Sequence, residues 1–246
     1  MNLLKKVSAI ALAICMLCGL AVTAGSPTVA KADSAPVQLY YLDNQGGRYG
    51  MSTYTVYVQI DSSARHKEVW LHYNQSGSTW LDKQAGYVTT LPSGSEIWKV
   101  TVDGAYGILY TIKFVGDGQV YWANNNGKNF TENDVLGTAN IKVGRISTSE
   151  TINGTIINFS ATVRNISFAK EVGIRYTIDN WATKQDVKLS HSGPIEGTNF
   201  EVWTGSIMIP TDKKSAFKFC GFYKVDGNEY WDNNFGTNYD INYIAQ

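Results

Sequence analysis

The chain has 246 residues, and its 21 basic and 21 acidic side chains make it formally neutral; three of the basic ones precede Asp33, and the balance of the rest, 18 minus 21 or −3, argues against nucleic acid or an acidic membrane as the main partner. Aromatic residues reach 13%, with 15 Tyr and 7 Trp, and there are 23 Gly; few long segments have helical period, so the composition indicates a turn-rich, all-β protein.

The chain opens on a leader pattern. Lys5 and Lys6 form a basic start, an apolar run follows from Val7 to Val22, and Ala30-Lys31-Ala32 fits a small-x-small cleavage site. The run of about 16 residues, interrupted by Ser8, is short for a membrane span, which needs roughly 20. Residues 1–32 are therefore expected to be a cleaved signal peptide, with the mature, secreted protein starting near Asp33 and keeping no membrane contact. Cleavage would remove Cys15 and Cys18 and leave Cys220, so no internal disulfide is expected. It would also remove three basic residues and no acidic one.

After the leader, two sets of strand-like segments follow one another. Val37-Gln38-Leu39 reads as a first strand. Tyr54, Val56, Val58 and Ile60 alternate, as do Val69, Leu71 and Tyr73, so each segment has one buried face. Trp80 follows in a polar loop. Glu96-Ile97-Trp98 opens the next strand, continued by Val100 and Val102. TIKFVGDGQVYW then carries a hairpin signal at Asp117-Gly118 and runs into YWANNNGKNF, Tyr121 to Phe130.

The second set repeats the first in the same phase. Ile141-Lys142-Val143 is the first strand. Ile157, Phe159, Ala161 and Val163 alternate 103 residues after their counterparts, and so do Val172, Ile174 and Tyr176. Trp181 follows, then Glu201-Val202-Trp203 at an offset of 105, then a turn at Asp226-Gly227, then YWDNNFGTNY, Tyr230 to Tyr239, at an offset of 109. Matched phase is informative, because a one-residue slip turns a strand inside out. The expectation is two tandem immunoglobulin-like antiparallel β-sandwiches, residues 33–130 and 139–246, joined by a linker over 131–138.

The residues do not form a catalytic pattern. His66, His72 and His191 occupy unrelated positions of the repeat, and the mature chain has no paired CxxC, HExxH or phosphate-cradling glycine loop. Cys220 reads as a core residue. Glu96 and Glu201 recur in register beside a Trp, but each half has one such acid where a glycosidase needs two. No enzyme activity, metal or cofactor is expected. Trp98 and Trp203 alternate with apolar residues and read as core. Trp80, Trp181, Trp122 and Trp231 lie among polar residues, and flat indole faces beside amides suit the apolar C–H faces and hydroxyl rim of a sugar.

VRNISFAKEVGIRYTIDNWAT (Val163 to Thr183), HSGPIEGTNFEVW (His191 to Trp203) and FKFCGFYKVDGNEYWDNNFGTNY (Phe217 to Tyr239) resemble carbohydrate-binding module family 21, the starch- and glycogen-binding module. The resemblance covers nearly all of Ala139 to Asn242; KEVWLHYN, EIWKV and YWANNNGKNF extend it to a divergent first copy. It implies an α-glucan partner (starch, glycogen, malto-oligosaccharides). By position, it implies contacts from Asn165, Phe168, Lys170, Trp181, Glu201, Trp231, Asn233 and Asn238. In the first half the matching positions are Lys67, Trp80, Glu96, Trp122, Asn124 and Asn129, with Arg65 and Ser62 replacing Phe168 and Asn165. His191 and Cys220 stand where the family has aromatics. Arg164-Asn165-Ile166-Ser167-Phe168 also fits the pattern that docks protein phosphatase 1, but it reads as part of the module's own strand. The resulting expectation is a monomeric, non-catalytic α-glucan-binding protein. The alternative is a secreted β-sandwich protein that binds another surface glycan or a protein.

Overall fold

The computed structural model describes residues 36–75 and 79–244; the expected leader lies outside them. The first half contains β1 (Val37–Gly46), β2 (Ser52–Ile60), β3 (Lys67–Asn74), β4 (Leu81–Gln84), β5 (Gly86–Thr90), β6 (Glu96–Ala105), β7 (Leu109–Gly116), β8 (Gln119–Ala123) and β9 (Phe130–Thr131). They form one sheet of order β1-β2-β6-β5 and a second of order β4-β3-β7-β8, with β9 also on β7. The alternation read from sequence sets the faces: Tyr54, Val56, Val58 and Ile60 of β2 meet Val69 and Leu71 of β3 and Tyr110, Ile112 and Phe114 of β7 in one core.

The second half contains β10 (Ile141–Val143), β11 (Ser147–Thr151), β12 (Gly154–Arg164), β13 (Lys170–Thr177), β14 (Gln185–Lys188), β15 (Ser190–Ile195), β16 (Phe200–Ile209), β17 (Lys218–Val225), β18 (Asn228–Asp232) and β19 (Tyr239–Asp240). Its sheets have orders β10-β12-β16-β15 and β14-β13-β17-β18, with β11 on β12 and β19 on β17. Ile157, Phe159, Val163, Ile174, Phe219 and Tyr223 fill the core between them. The strand ladders are antiparallel, and an isolated parallel bridge joins Ile146 and Ile244.

Both Asp-Gly signals are realised. Asp117 and Gly118 have φ 47° and 84°, and Asp226 and Gly227 have 48° and 76°; the flanking pairs Gly116–Gln119 and Val225–Asn228 close two-residue hairpins. Two successive left-handed residues give the turn whose twist matches the strands.

The halves meet along a packed seam. Residues 135–139 run beside β1: Leu42 N–H donates to Val135 O, Gly137 N–H to Tyr40 O and Thr138 N–H to Leu39 O at 2.8–3.0 Å. A Cβ on Gly137 would lie 1.8 Å from Leu39 O, so this approach requires glycine. Tyr41, Leu136, Ala139 and Phe200 form a third apolar cluster, against which Tyr40, Tyr57 and Phe235 pack. Beside it, Lys142 Nζ is 3.9 Å from both Asp43 and Asp232 and donates to Tyr243 Oη at 2.7 Å and to Val143 O. The Asp232 carboxylate accepts from Val143 N–H at 2.6 Å and from Tyr239 O–H at 2.8 Å. The two YW loops differ at these contacts: Asp232 and Phe235 stand where the first half's YW loop has Ala123 and Asn126.

Candidate functional site

Strand alternation puts Trp122 on the outer face of the β4-β3-β7-β8 sheet, because its neighbour Tyr121 stacks inward on Phe114. His72 lies on the same outer face. Its imidazole stacks on Trp80 at 4.7 Å and 10°, and it meets Trp122 edge-on at 6.0 Å. Asp82 lies 2.6 Å from His72 Nδ1, and Lys113 Nζ sits 5.9 Å over the Trp122 ring. Trp80 and Trp122 remain 37% and 47% exposed, a large apolar area left in water.

In the second half Arg175 takes the place of His72. Both its Nε and Nη2 donate to Asp186 at 2.7 Å, and its guanidinium lies 4.9 Å over the Trp231 ring, with Phe222 at 5.8 Å. A cation of the protein itself therefore already covers part of Trp231. Cys220 lies opposite Arg175 in register, and burial pushes its thiol up to about 11, against 9.0 ordinarily. The loop carrying Trp181 is tied together by Asp179, which accepts from the hydroxyls of Thr177 and Thr183 and from Thr183 N–H at 2.6–2.9 Å. Those hydrogen bonds, Thr177 first, hold the carboxyl below its ordinary 3.8, at about 2. Trp181 N–H donates to Thr177 Oγ1 at 2.9 Å, while its buried indole N–H has no acceptor among the described residues.

The asparagines of both YW loops have a local role. Asn124 Oδ1 accepts from Gly127 N–H at 3.1 Å, and Asn233 Oδ1 from Gly236 N–H at 3.0 Å. Asn129 and Asn238 sit at φ 61° and 60°, a conformation asparagine tolerates, and their carbonyls accept from Asn125 and Asn234 side chains. The side-chain carbonyls of Asn124 and Asn233 therefore shape the loop, and their amide N–H groups are the part that can face a ligand.

The remaining expected residues gather at a second place. Lys170 Nζ lies 2.8 Å from Glu201 and 2.6 Å from Asn165 Oδ1, joining the two sheets at their rim with side chains only 3% and 13% exposed for Lys170 and Glu201. Trp203 Nε1 donates to Glu201 at 3.3 Å. Burial pushes the Glu201 carboxyl up, but the hydrogen bonds from Lys170 and Trp203 more than offset it and hold it below its ordinary value. Asn165, Phe168, His191 and Trp203 line a cavity of about 560 Å³ beside this pair, and Phe168 is fully exposed.

In the first half Lys67 and Glu96 pair at 2.6 Å and Trp98 Nε1 donates to Glu96 at 3.0 Å. Tyr87 faces Trp98 edge-on at 5.9 Å, in the register position where His191 faces Trp203 at 5.5 Å. Sequence reasoning missed Tyr87; the signal was an exposed aromatic in the short strand preceding Glu96. Among the described residues, no three or more His, Cys, Asp or Glu side chains are grouped to hold a metal ion.

Residues 136–242 match the family model described as carbohydrate/starch-binding module (family 21). Glucoamylase 1 of Rhizopus oryzae is 38% identical over 82 residues, 32% of this chain and 13% of that protein. Protein phosphatase 1 regulatory subunit 3C of Bos taurus is 33% identical over 97 residues, 38% of this chain and 29% of that protein. The chain thus spans less than a third of the length of either relative. Among solved structures, the starch binding domain of Rhizopus oryzae glucoamylase, in complex with beta-cyclodextrin and maltoheptaose, is 26% identical; the match covers 42% of this chain and 93% of that one, with a TM-score of 0.34. Residues 136–242 thus share the sequence pattern of the family-21 carbohydrate/starch-binding module.

Proposed function

We propose that this chain is a secreted, monomeric, non-catalytic α-glucan-binding protein of the starch–glycogen type, made of two modules over 33–130 and 139–246. The family match over 136–242 carries the reading, and the printed names of that family, a carbohydrate/starch-binding module, and of one relative, a glucoamylase, supply the ligand class. The geometry supports it. Exposed indoles on the outer face of the first half offer stacking surface, and the Arg175 guanidinium over Trp231 is already paired with Asp186, so that platform suits an uncharged polyol. Sugars exchange good hydrogen bonds with water for similar ones, so a single platform binds weakly. Two modules held at fixed spacing along one polysaccharide raise avidity by roughly 10²–10⁴ where geometry permits. The test is electrophoretic retardation of the full chain in gels containing soluble starch, cellulose or xylan. Retardation by starch alone is expected; equal mobility in all three gels refutes the reading.

A further inference from the structure

Two clefts open along the seam between the halves, and each runs up to one of the YW loops. The first, about 360 Å³, has Trp231 and Asn233 of the second half on one side and Tyr40 and residues 89–92 of the first half on the other. The second, about 540 Å³, has Trp122 and Asn124 of the first half facing Arg164 and Phe200 of the second. The arrangement is reciprocal. Residues 89–92 lead from β5 into β6, and Phe200 begins β16 after β15, the corresponding strands of the other half. Each YW loop therefore faces the equivalent hairpin of the other half.

The charges in both clefts are internally engaged. Arg164 donates to the carbonyls of Leu136 and Gly137 and to Asn140 Oδ1, Asp134 accepts from Thr131, and Asp232 accepts from Val143 and Tyr239. What the clefts offer a ligand is aromatic face and the side-chain amide N–H of Asn233 and Asn124. That combination recognises a neutral polyol, and it lies beside the half-buried indole of Trp231 in the first cleft and the exposed one of Trp122 in the second.

We propose that these clefts are composite glucan subsites, in which residues of one half complete the site of the other. This rests on the glucan reading above and extends it: a sugar stacked at Trp231 continues between Asn233 and the 89–92 turn, so the two halves bind as one surface. The seam described above keeps the opposing walls in register, which two sandwiches on a free tether would not do.

Calorimetric titration of the full chain with maltoheptaose tests this. The proteins are the wild type, Trp231→Ala, Thr90→Glu and the double variant, each checked for an unchanged thermal melt; Pro92→Ala, a second exposed lining position, serves if Thr90→Glu melts early. Thr90→Glu, although in the other half, is expected to lower affinity about tenfold. Adding it to Trp231→Ala should cost little more, because both substitutions strike one site. If Trp231→Ala loses affinity while Thr90→Glu and Pro92→Ala bind like wild type, the composite site is overturned and the glucan reading stands. If none of them loses affinity, the cleft takes no glucan and the assignment of Trp231 fails with it.

Discussion

Replacing Asp232 by alanine, the residue at the same place in the first half's YW loop, probes the seam directly. The Asp232 side chain is 5% exposed, and it accepts from Val143 N–H at 2.6 Å and Tyr239 O–H at 2.8 Å while facing Lys142 at 3.9 Å. The substitution strands two buried donors, each costing about 1–3 kcal/mol. It also removes one of the two carboxylates opposite the Lys142 ammonium, which keeps Asp43 and its bond to Tyr243. The two donors together cost about 2–6 kcal/mol, which brackets the about 3–5 kcal/mol typical of breaking a buried ion pair. Urea unfolding followed by tryptophan fluorescence measures it. The control is Asp212→Ala, whose carboxylate is 74% exposed beside Lys213 and should shift stability by less than about 0.5 kcal/mol. A loss under about 1 kcal/mol for Asp232→Ala would show that the network contributes nothing beyond an exposed pair, and the account of a rigid seam would fall.

Trp231→Ala and Trp181→Ala should each weaken malto-oligosaccharide binding by about 2 kcal/mol in calorimetry, the scale of an aromatic hot spot; unchanged affinity with a lowered melting temperature would make them packing residues instead. Asp179 has a depressed pKa, so its support of the Trp181 loop is present above its ordinary 3.8 and is lost as pH falls through about 2. Trp181-dependent binding should therefore hold steady from about pH 7 to about pH 4, and a midpoint near 4 would contradict the assignment. Cys220 is buried and its thiol is pushed up to about 11, so iodoacetamide at about pH 8 should leave it unmodified in the native chain and alkylate it in denaturant, as read by peptide mass mapping.

Much of the local structure was legible because it is periodic. Alternation in TYTVYVQI and IINFSATV set the buried faces, and Asp-Gly pairs set the hairpins. The exposed indoles were legible from their polar neighbours. Trp98 and Trp203, read as core, are half-buried: each packs against its core on one side and turns its indole N–H to a glutamate, and Trp203 also lines the cavity beside Phe168. Other features follow from contacts distant in sequence, which no period encodes. The difference between Asp232 and Ala123 gains meaning only when Lys142 and Asp43 are brought beside it. Likewise, Phe235 packs on Tyr40, Tyr41 and Tyr57, from the other half of the chain. The loop-shaping hydrogen bonds of the asparagines were not legible, because they depend on left-handed backbone at Asn125, Asn129, Asn234 and Asn238 that composition does not show.

A chain whose two halves have the same strand order faces a hazard of its own during folding, since a strand from one half can be captured by the other. The YW strand is the obvious candidate, because β8 and β18 pair with β7 and β17 in the same register. In that register Ala123 pairs with Ile112 and Asp232 with Gly221. If β18 entered the first half, its carboxylate would be set against Ile112 in a core without Lys142, a burial costing several kcal/mol. If β8 entered the second half, Lys142 would face an alanine and Tyr41 would lose its phenylalanine partner. The two differences that fit the halves to each other thus also work against exchange of these strands.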